Sequence, residues 1–232
     1  MSVRATETPE EPGEEAQEPL RPATAPGKAA ADTGLTLVSH DGKPYRFDPG
    51  ALCLELLTTG GPGAFARHEV LHGPADLVAW ADRSRLPGGL RPTVTAAEVE
   101  RARAFRDALF LLAADRAHGR PLRPEHVEEV NAVAAGPPLV SQLTSDGARV
   151  WAPGATGAQL LSTVARDAVD LFGGPHAGRV RECGARDCYL LFVDTSRPGR
   201  RHWCSMERCG NRAKVRAHRA RTSAREGDPG AG

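Results

Sequence analysis

Cys183-Gly184-Ala185-Arg186-Asp187-Cys188 and Cys204-Ser205-Met206-Glu207-Arg208-Cys209 share one spacing: each cysteine pair encloses four residues, and fifteen residues separate the pairs. Thiolate is the soft donor that zinc prefers, and four thiolates complete a tetrahedron with no position left for water or substrate. The spacing predicts one structural zinc ion per chain, held by Cys183, Cys188, Cys204 and Cys209. Disulfides and an iron-sulfur cluster could use the same side chains, but disulfides suit an oxidising compartment and clusters usually take other spacings. His202 could stand in for a ligand, but the matched cysteine pairs speak against it.

Charge is concentrated around this stretch. From residue 179 to residue 225 there are 13 Lys and Arg against 4 Asp and Glu, whereas the rest of the chain has 17 against 25. An acidic body carries a basic head. With 232 residues and 40% hydrophobic content, the chain can bury one good core and add a small satellite module. Five cysteines and a start rich in Glu and Pro, with no hydrophobic run, point to a reducing, cytoplasmic setting rather than secretion. No stretch is long and apolar enough to span a membrane.

Working outward, residues 1–33 are dominated by Pro, Glu, Ala and Thr and read as a disordered tail, as do residues 226–232. Two β-like runs, Leu35 to Val38 and Tyr45 to Phe47, flank Asp41-Gly42 and predict a hairpin. Asp48-Pro49 offers a cap and first position for a helix through Leu52, Leu56 and Leu57, which Gly60-Gly61-Pro62-Gly63 would end. Its Cys53 reads as a buried thiol. Pro74 opens a helix with Leu77, Trp80 and Ala81 on one face. Thr95 and Glu98 match a capping box for a long helix to Gly119, and Pro124 opens another through Val133. A second hairpin is expected over 139–151, then a helix from Ala158 to Phe172. The fold class is therefore α+β: a mainly helical N-terminal domain (34–176) with minor β-hairpins, then a zinc module (177–225). In that module residues 189–193 would pair with 200–203, giving a treble-clef-like knuckle, hairpin and helix, with Trp203 and Phe192 as its apolar core. Asn211 and Asp194 are expected to fix backbone or hold an arginine.

Cys209-Gly210-Asn211-Arg212 spells the signature of the CGNR zinc-finger proteins. Asp194-Thr195-Ser196, Trp203-Cys204-Ser205-Met206 and Ala213-Lys214-Val215-Arg216 resemble the usual context of that signature. Leu52-Cys53-Leu54-Glu55-Leu56-Leu57-Thr58-Thr59 and Ala75-Asp76-Leu77-Val78-Ala79-Trp80 resemble the domain that accompanies this finger, named ABATE and described as a "putative stress-induced transcription regulator". Where members often carry an Asp and an Asn-Thr pair, this chain has Glu55 and Thr58-Thr59. The resemblance implies zinc binding by the four cysteines and DNA-linked regulation.

On a helical projection of about 100° per residue, Arg212, Arg216 and Arg219 fall on one side of the last helix. Lys214, His218, Arg221 and Arg225 fall nearly opposite, with Ala213, Ala217, Ala220 and Ala224 between. Arginine's planar fork suits phosphates and guanine edges. A nucleic-acid contact set of Arg197, Arg200, Arg201, Arg212, Lys214, Arg216 and Arg219 follows. The plainer alternative is a solvated helix whose arginines pair with the acidic body. His68-Glu69-Val70-Leu71-His72 fits the pattern of zinc hydrolases, in which two histidines one helical turn apart bind the metal and the glutamate activates water. Gly63 and Gly73-Pro74 leave that pattern barely two turns of helix, and it lacks a third ligand, so no catalytic residue is assigned.

The reading is a cytoplasmic, nucleoid-associated, zinc-binding and DNA-binding transcription regulator. Its N-terminal domain would receive a small-molecule or protein signal, and a homodimer is expected from the paired half-sites that such regulators commonly match. A zinc-stabilised protein- or RNA-interaction module is the alternative, with the zinc hydrolase behind it.

Overall fold

The computed structural model describes residues 34–39 and 41–226. The expected tails lie outside these residues, apart from residue 226. Strands β1 (Leu35–Val38) and β2 (Pro44–Phe47) form an antiparallel hairpin in which Leu35 faces Phe47 and Leu37 faces Tyr45. Gly42 turns it with φ +77°, a left-handed conformation that glycine adopts at no steric cost. The expected Asp48 cap is corrected by the structure. Helix α1 (Leu52–Leu56) starts after Ala51 without a side-chain cap. Asp48 Oδ1 instead accepts the Gly50 N–H at 2.8 Å and takes an ion pair from Arg85, because Gly50, with φ +85°, turns the chain before the helix can begin.

Helix α2 (Pro74–Arg83) opens with the Asp76 carboxylate reaching back to accept the N–H groups of His72 and Gly73, both at 2.8 Å, which fixes the chain entering the helix. Helix α3 (Ala96–Ala117) runs through the centre. Its Thr95–Glu98 capping box forms as the sequence predicts, and Glu98 also accepts the Ala158 N–H at 2.7 Å, tying two helix starts together. Val99, Ala102, Phe105, Leu109, Leu112 and Ala113 of α3 are buried. Helix α4 (Pro124–Ala134) and helix α5 (Gly157–Gly173) pack on α3, and Thr156 caps α5 through Gln159. Between them β3 (Ser141–Leu143) and β4 (Arg149–Trp151) form the second expected hairpin, largely solvent-exposed, with Trp151 anchored to the Pro87 carbonyl. Cys53 is fully buried, as expected, with its N–H donated to Asp167.

Strands β5 (Val180–Glu182) and β6 (Leu191–Val193) pair antiparallel. The expected pairing of 189–193 with 200–203 is thus overturned. The physical reason lies at both edges of β6: β5 takes one partner position, and Val193 donates its N–H to the Pro49 carbonyl at 2.8 Å. Val180, Leu191 and Val193 belong to the same buried cluster as α3 and α5, so the β5–β6 hairpin is part of the main core. Helix α6 (Asn211–Glu226) follows a π-helical turn, Met206–Gly210, and packs mainly against that turn.

Candidate metal centre and basic helix

Each cysteine is placed by a local device. Cys183 leaves β5 and Cys188 enters the approach to β6, and the turn between them closes through Cys183 N–H to Leu190 O at 3.0 Å and Cys188 N–H to Ala185 O at 3.1 Å. Gly184 donates its N–H to His202 O at 3.0 Å, which draws the second pair alongside the first. A Cβ at Gly184 would lie 2.2 Å from the His202 ring, so a larger residue there would force that exposed side chain to turn aside. Cys204 donates its N–H to Cys183 Sγ at 3.4 Å, and Cys209 sits in the π-helical turn.

The four Sγ atoms lie within 4.8 Å of one another and all four residues are buried. Cys188 to Cys204 is 3.6 Å and Cys204 to Cys209 is 3.5 Å. A tetrahedral zinc with Zn–S bonds of about 2.3 Å needs sulfur-sulfur edges of about 3.8 Å, so the donor set fits the ion in type, number and spacing. Hydrogen bonds from Cys188 and Cys204 pull the Cys183 thiol well below its ordinary pKa. The same bonds hold Cys188 and Cys204 above theirs, and burial raises Cys209. Zinc binds thiolates, so loading the cluster would release the protons the thiols carry. The site is a closed four-cysteine cluster compatible with one zinc ion. Among the described residues it is the group of Cys, His, Asp and Glu close enough to hold a metal, and His202 does not belong to it.

Residues 50–175 match the family described as "Putative stress-induced transcription regulator", abbreviated ABATE. The chain belongs to the ABATE family. Residues 179–222 of this ABATE chain match the CGNR zinc finger, so the two resemblances read from the sequence both hold. No curated protein matches the chain. Both matched families are of regulator and zinc-finger type rather than enzyme families.

The basic residues separate into committed and exposed groups. Arg201 is committed: its guanidinium donates to the carbonyls of Trp203, Cys204 and Asp48 and stacks 4.1 Å over the Phe192 ring. It splints the ligand loop onto the segment before α1. Arg212 forms an ion pair with Asp187 of the first cysteine turn. Arg197, Arg200, Lys214, Arg216 and Arg219 are exposed, as is Arg221. Phe192 is fully buried and Trp203 partly so, packed against the cysteine cluster as expected. Asp194 accepts the N–H groups of Ser196 and Arg201 at 3.0 and 2.9 Å, and Asn211 donates to Glu207 O, so both fix backbone.

The His68–His72 stretch does not build a hydrolase geometry. His68 ends a 3-10 turn, Glu69 is extended at ψ 127°, and the two histidines are not stacked on a helix. Glu69 pairs bidentately with Arg106 at 2.8 Å for both bonds and accepts the Leu71 N–H. Arg106 is 1% exposed and also donates to the Thr59 carbonyl, so Glu69 neutralises a buried cation. A Cβ at Gly60, where φ is +143°, would meet that guanidinium at 2.7 Å.

The sequence reading missed Tyr45 and Arg208. Arg208 donates to Tyr45 Oη at 3.0 Å, stacks on its ring and lies 4.0 Å from Cys188 Sγ. A basic residue beside a ligand cysteine was a visible signal for Arg208. Tyr45, far away in the chain, gave none. No helix among the described residues is long and apolar enough to cross a membrane.

Proposed function

We propose that this ABATE chain is a zinc-dependent, DNA-binding transcription regulator. Cys183, Cys188, Cys204 and Cys209 hold one zinc ion, and α6 enters the major groove of duplex DNA. The observation that supports this most is the exposure of α6: from Lys214 to Thr222 every residue is exposed, and residues 211–222 carry five Lys and Arg with no acidic residue. A helix that needed only to decorate the surface would bury one face. The major groove is about 12 Å wide, a helix with side chains about 10–12 Å across, and phosphates line both walls. Cations on opposite sides of α6 match that arrangement, and the small Ala213, Ala217 and Ala220 between them permit close approach.

Zinc serves structure here, because the cluster leaves no open position for chemistry. The N-terminal region offers a place for a signal: an open cavity of about 610 Å³ lies between the β1–β2 hairpin and α2, lined in part by Thr58, Thr59, Trp80 and Arg83. A small-molecule or protein signal bound there acts on the finger through the shared hairpin. A homodimer on paired half-sites and a nucleoid-associated location follow from the same reading.

The test is metal content together with binding to mixed-sequence duplex, read by fluorescence anisotropy, for the wild type and Cys204→Ser. One zinc per chain and duplex binding, both lost in the variant, is the expected result. Zinc without duplex binding, but with capture of RNA or an acidic protein, would replace this reading by the interaction module.

A further inference from the structure

The β1–β2 hairpin lies outside both family matches, which begin at residues 50 and 179, yet it packs on the metal cluster. Tyr45, Phe47 and Leu37 form one apolar cluster with the four cysteines, Phe192 and Trp203. Four thiolates on one zinc ion leave two net negative charges in a buried site, and such a site requires nearby positive charge and hydrogen-bond donors. Two arginines approach it. Arg201 reaches backbone carbonyls, including that of Cys204, and orders the loop. Arg208 approaches the sulfurs themselves, 4.0 Å from Cys188 Sγ, and is held there by Tyr45 through a 3.0 Å hydrogen bond and a ring contact at 4.8 Å. Its Nε is buried with no hydrogen-bond partner. A buried donor without an acceptor is costly unless negative charge is near, and Nη1 of the same guanidinium stands 4.0 Å from Cys188 Sγ.

We propose that Arg208, clamped by Tyr45, is a positioning residue for the metal: a cationic cover over the thiolates that tightens zinc retention and lowers their reactivity toward electrophiles. The inference rests on zinc occupying the four-cysteine cluster. Removing an outer partner of a metal site typically weakens metal binding about 10- to 100-fold. The cover uses a hairpin from the far end of the chain, so the finger matched over residues 179–222 does not contain all the groups that govern its own metal.

The test uses the full chain. Zinc affinity is measured by competition with a chromophoric chelator for wild type, Arg208→Gln, Arg208→Lys and Tyr45→Phe. Co²⁺ substitution reports whether four thiolates still ligate, and iodoacetamide reports thiolate reactivity. Arg208→Gln should bind zinc about tenfold or more weakly and alkylate faster, with the cobalt thiolate band retained. Arg208→Lys should recover much of the loss, because it restores charge, and Tyr45→Phe should give an intermediate effect. Zinc affinity and alkylation of Arg208→Gln within twofold of wild type would overturn the cover while leaving the zinc site intact. A wild type that binds no zinc would overturn both. Should Arg208→Gln not fold, Tyr45→Phe decides: zinc transfer at least threefold faster supports the cover, and an unchanged rate refutes it.

Discussion

If α6 enters a groove, the salt dependence of duplex binding counts its phosphate contacts. The logarithm of affinity falls with the logarithm of salt concentration at a slope of about −0.9 per phosphate contacted, because each contact releases condensed counterions. Lys214, Arg216, Arg219 and Arg221 are exposed on α6, whereas Arg212 is paired with Asp187. Four contacts give a slope of about −3.6, which between 50 and 200 mM salt is a loss of about 150-fold. If the exposed Arg197 and Arg200 of the loop also reach phosphates, six contacts give about −5.4 and a loss of about 2,000-fold. The assay is fluorescence anisotropy of a labelled duplex across that salt range. Replacing both loop arginines by glutamine should then bring the steeper slope down to the shallower one, and replacing Arg216 and Arg219 should lower either slope by about 1.8. A slope shallower than −1, or one that is unchanged when Arg216 and Arg219 are replaced, would refute the groove reading.

Three further outcomes follow from the core and the metal site. Glu69→Gln removes one of the two carboxylates paired with the buried Arg106, the other being Asp107 at 2.9 Å, and should cost about 2 kcal/mol in urea denaturation. Because Val180, Leu191 and Val193 lie in the main core, zinc removal by chelation should lower the thermal midpoint of the whole chain in calorimetry instead of melting a separate small unit. Asp194 is buried, which by itself would raise its pKa, but hydrogen bonds from Ser196 and Arg201 hold it below the ordinary value of 3.8. A carboxylate with a lowered folded pKa stabilises fully above its unfolded pKa and loses that contribution as pH falls through the folded value. Unfolding of the loop, followed by tryptophan fluorescence, should therefore begin below about pH 4 in the wild type, whereas Asp194→Asn should be less stable at neutral pH and lack this acid dependence.

The helices were legible because their signals are local. Thr95 with Glu98, Pro74 and Pro124 mark starts that any chain would obey, and the apolar spacing of α3 and α5 fixes which face turns inward. The Asp48 expectation failed because a positive φ at the adjacent Gly50 redirects the chain, and Arg85, distant in sequence, takes the carboxylate. The strand partner of residues 191–193 was misread for a similar reason. Sequence proximity favoured residues 200–203, but β5 and the Pro49 carbonyl occupy the edges of β6. The hydrolase pattern at 68–72 shows the opposite case, in which a complete motif lacks the helix that would align its side chains.

The cysteine spacing and the arginine run determined by themselves that this protein carries a four-thiolate zinc site beside a basic helix, since ligand type and charge are properties of residues. Which arginines are exposed was decided by tertiary structure alone. Arg201 and Arg208 read the same in sequence as Arg197 and Arg200, yet folding brings Asp48 and Tyr45 from the other end of the chain to engage them. A guanidinium folded against backbone carbonyls or thiolates has fewer of its five N–H donors turned outward for a phosphate, and that allocation depends on contacts no local pattern encodes.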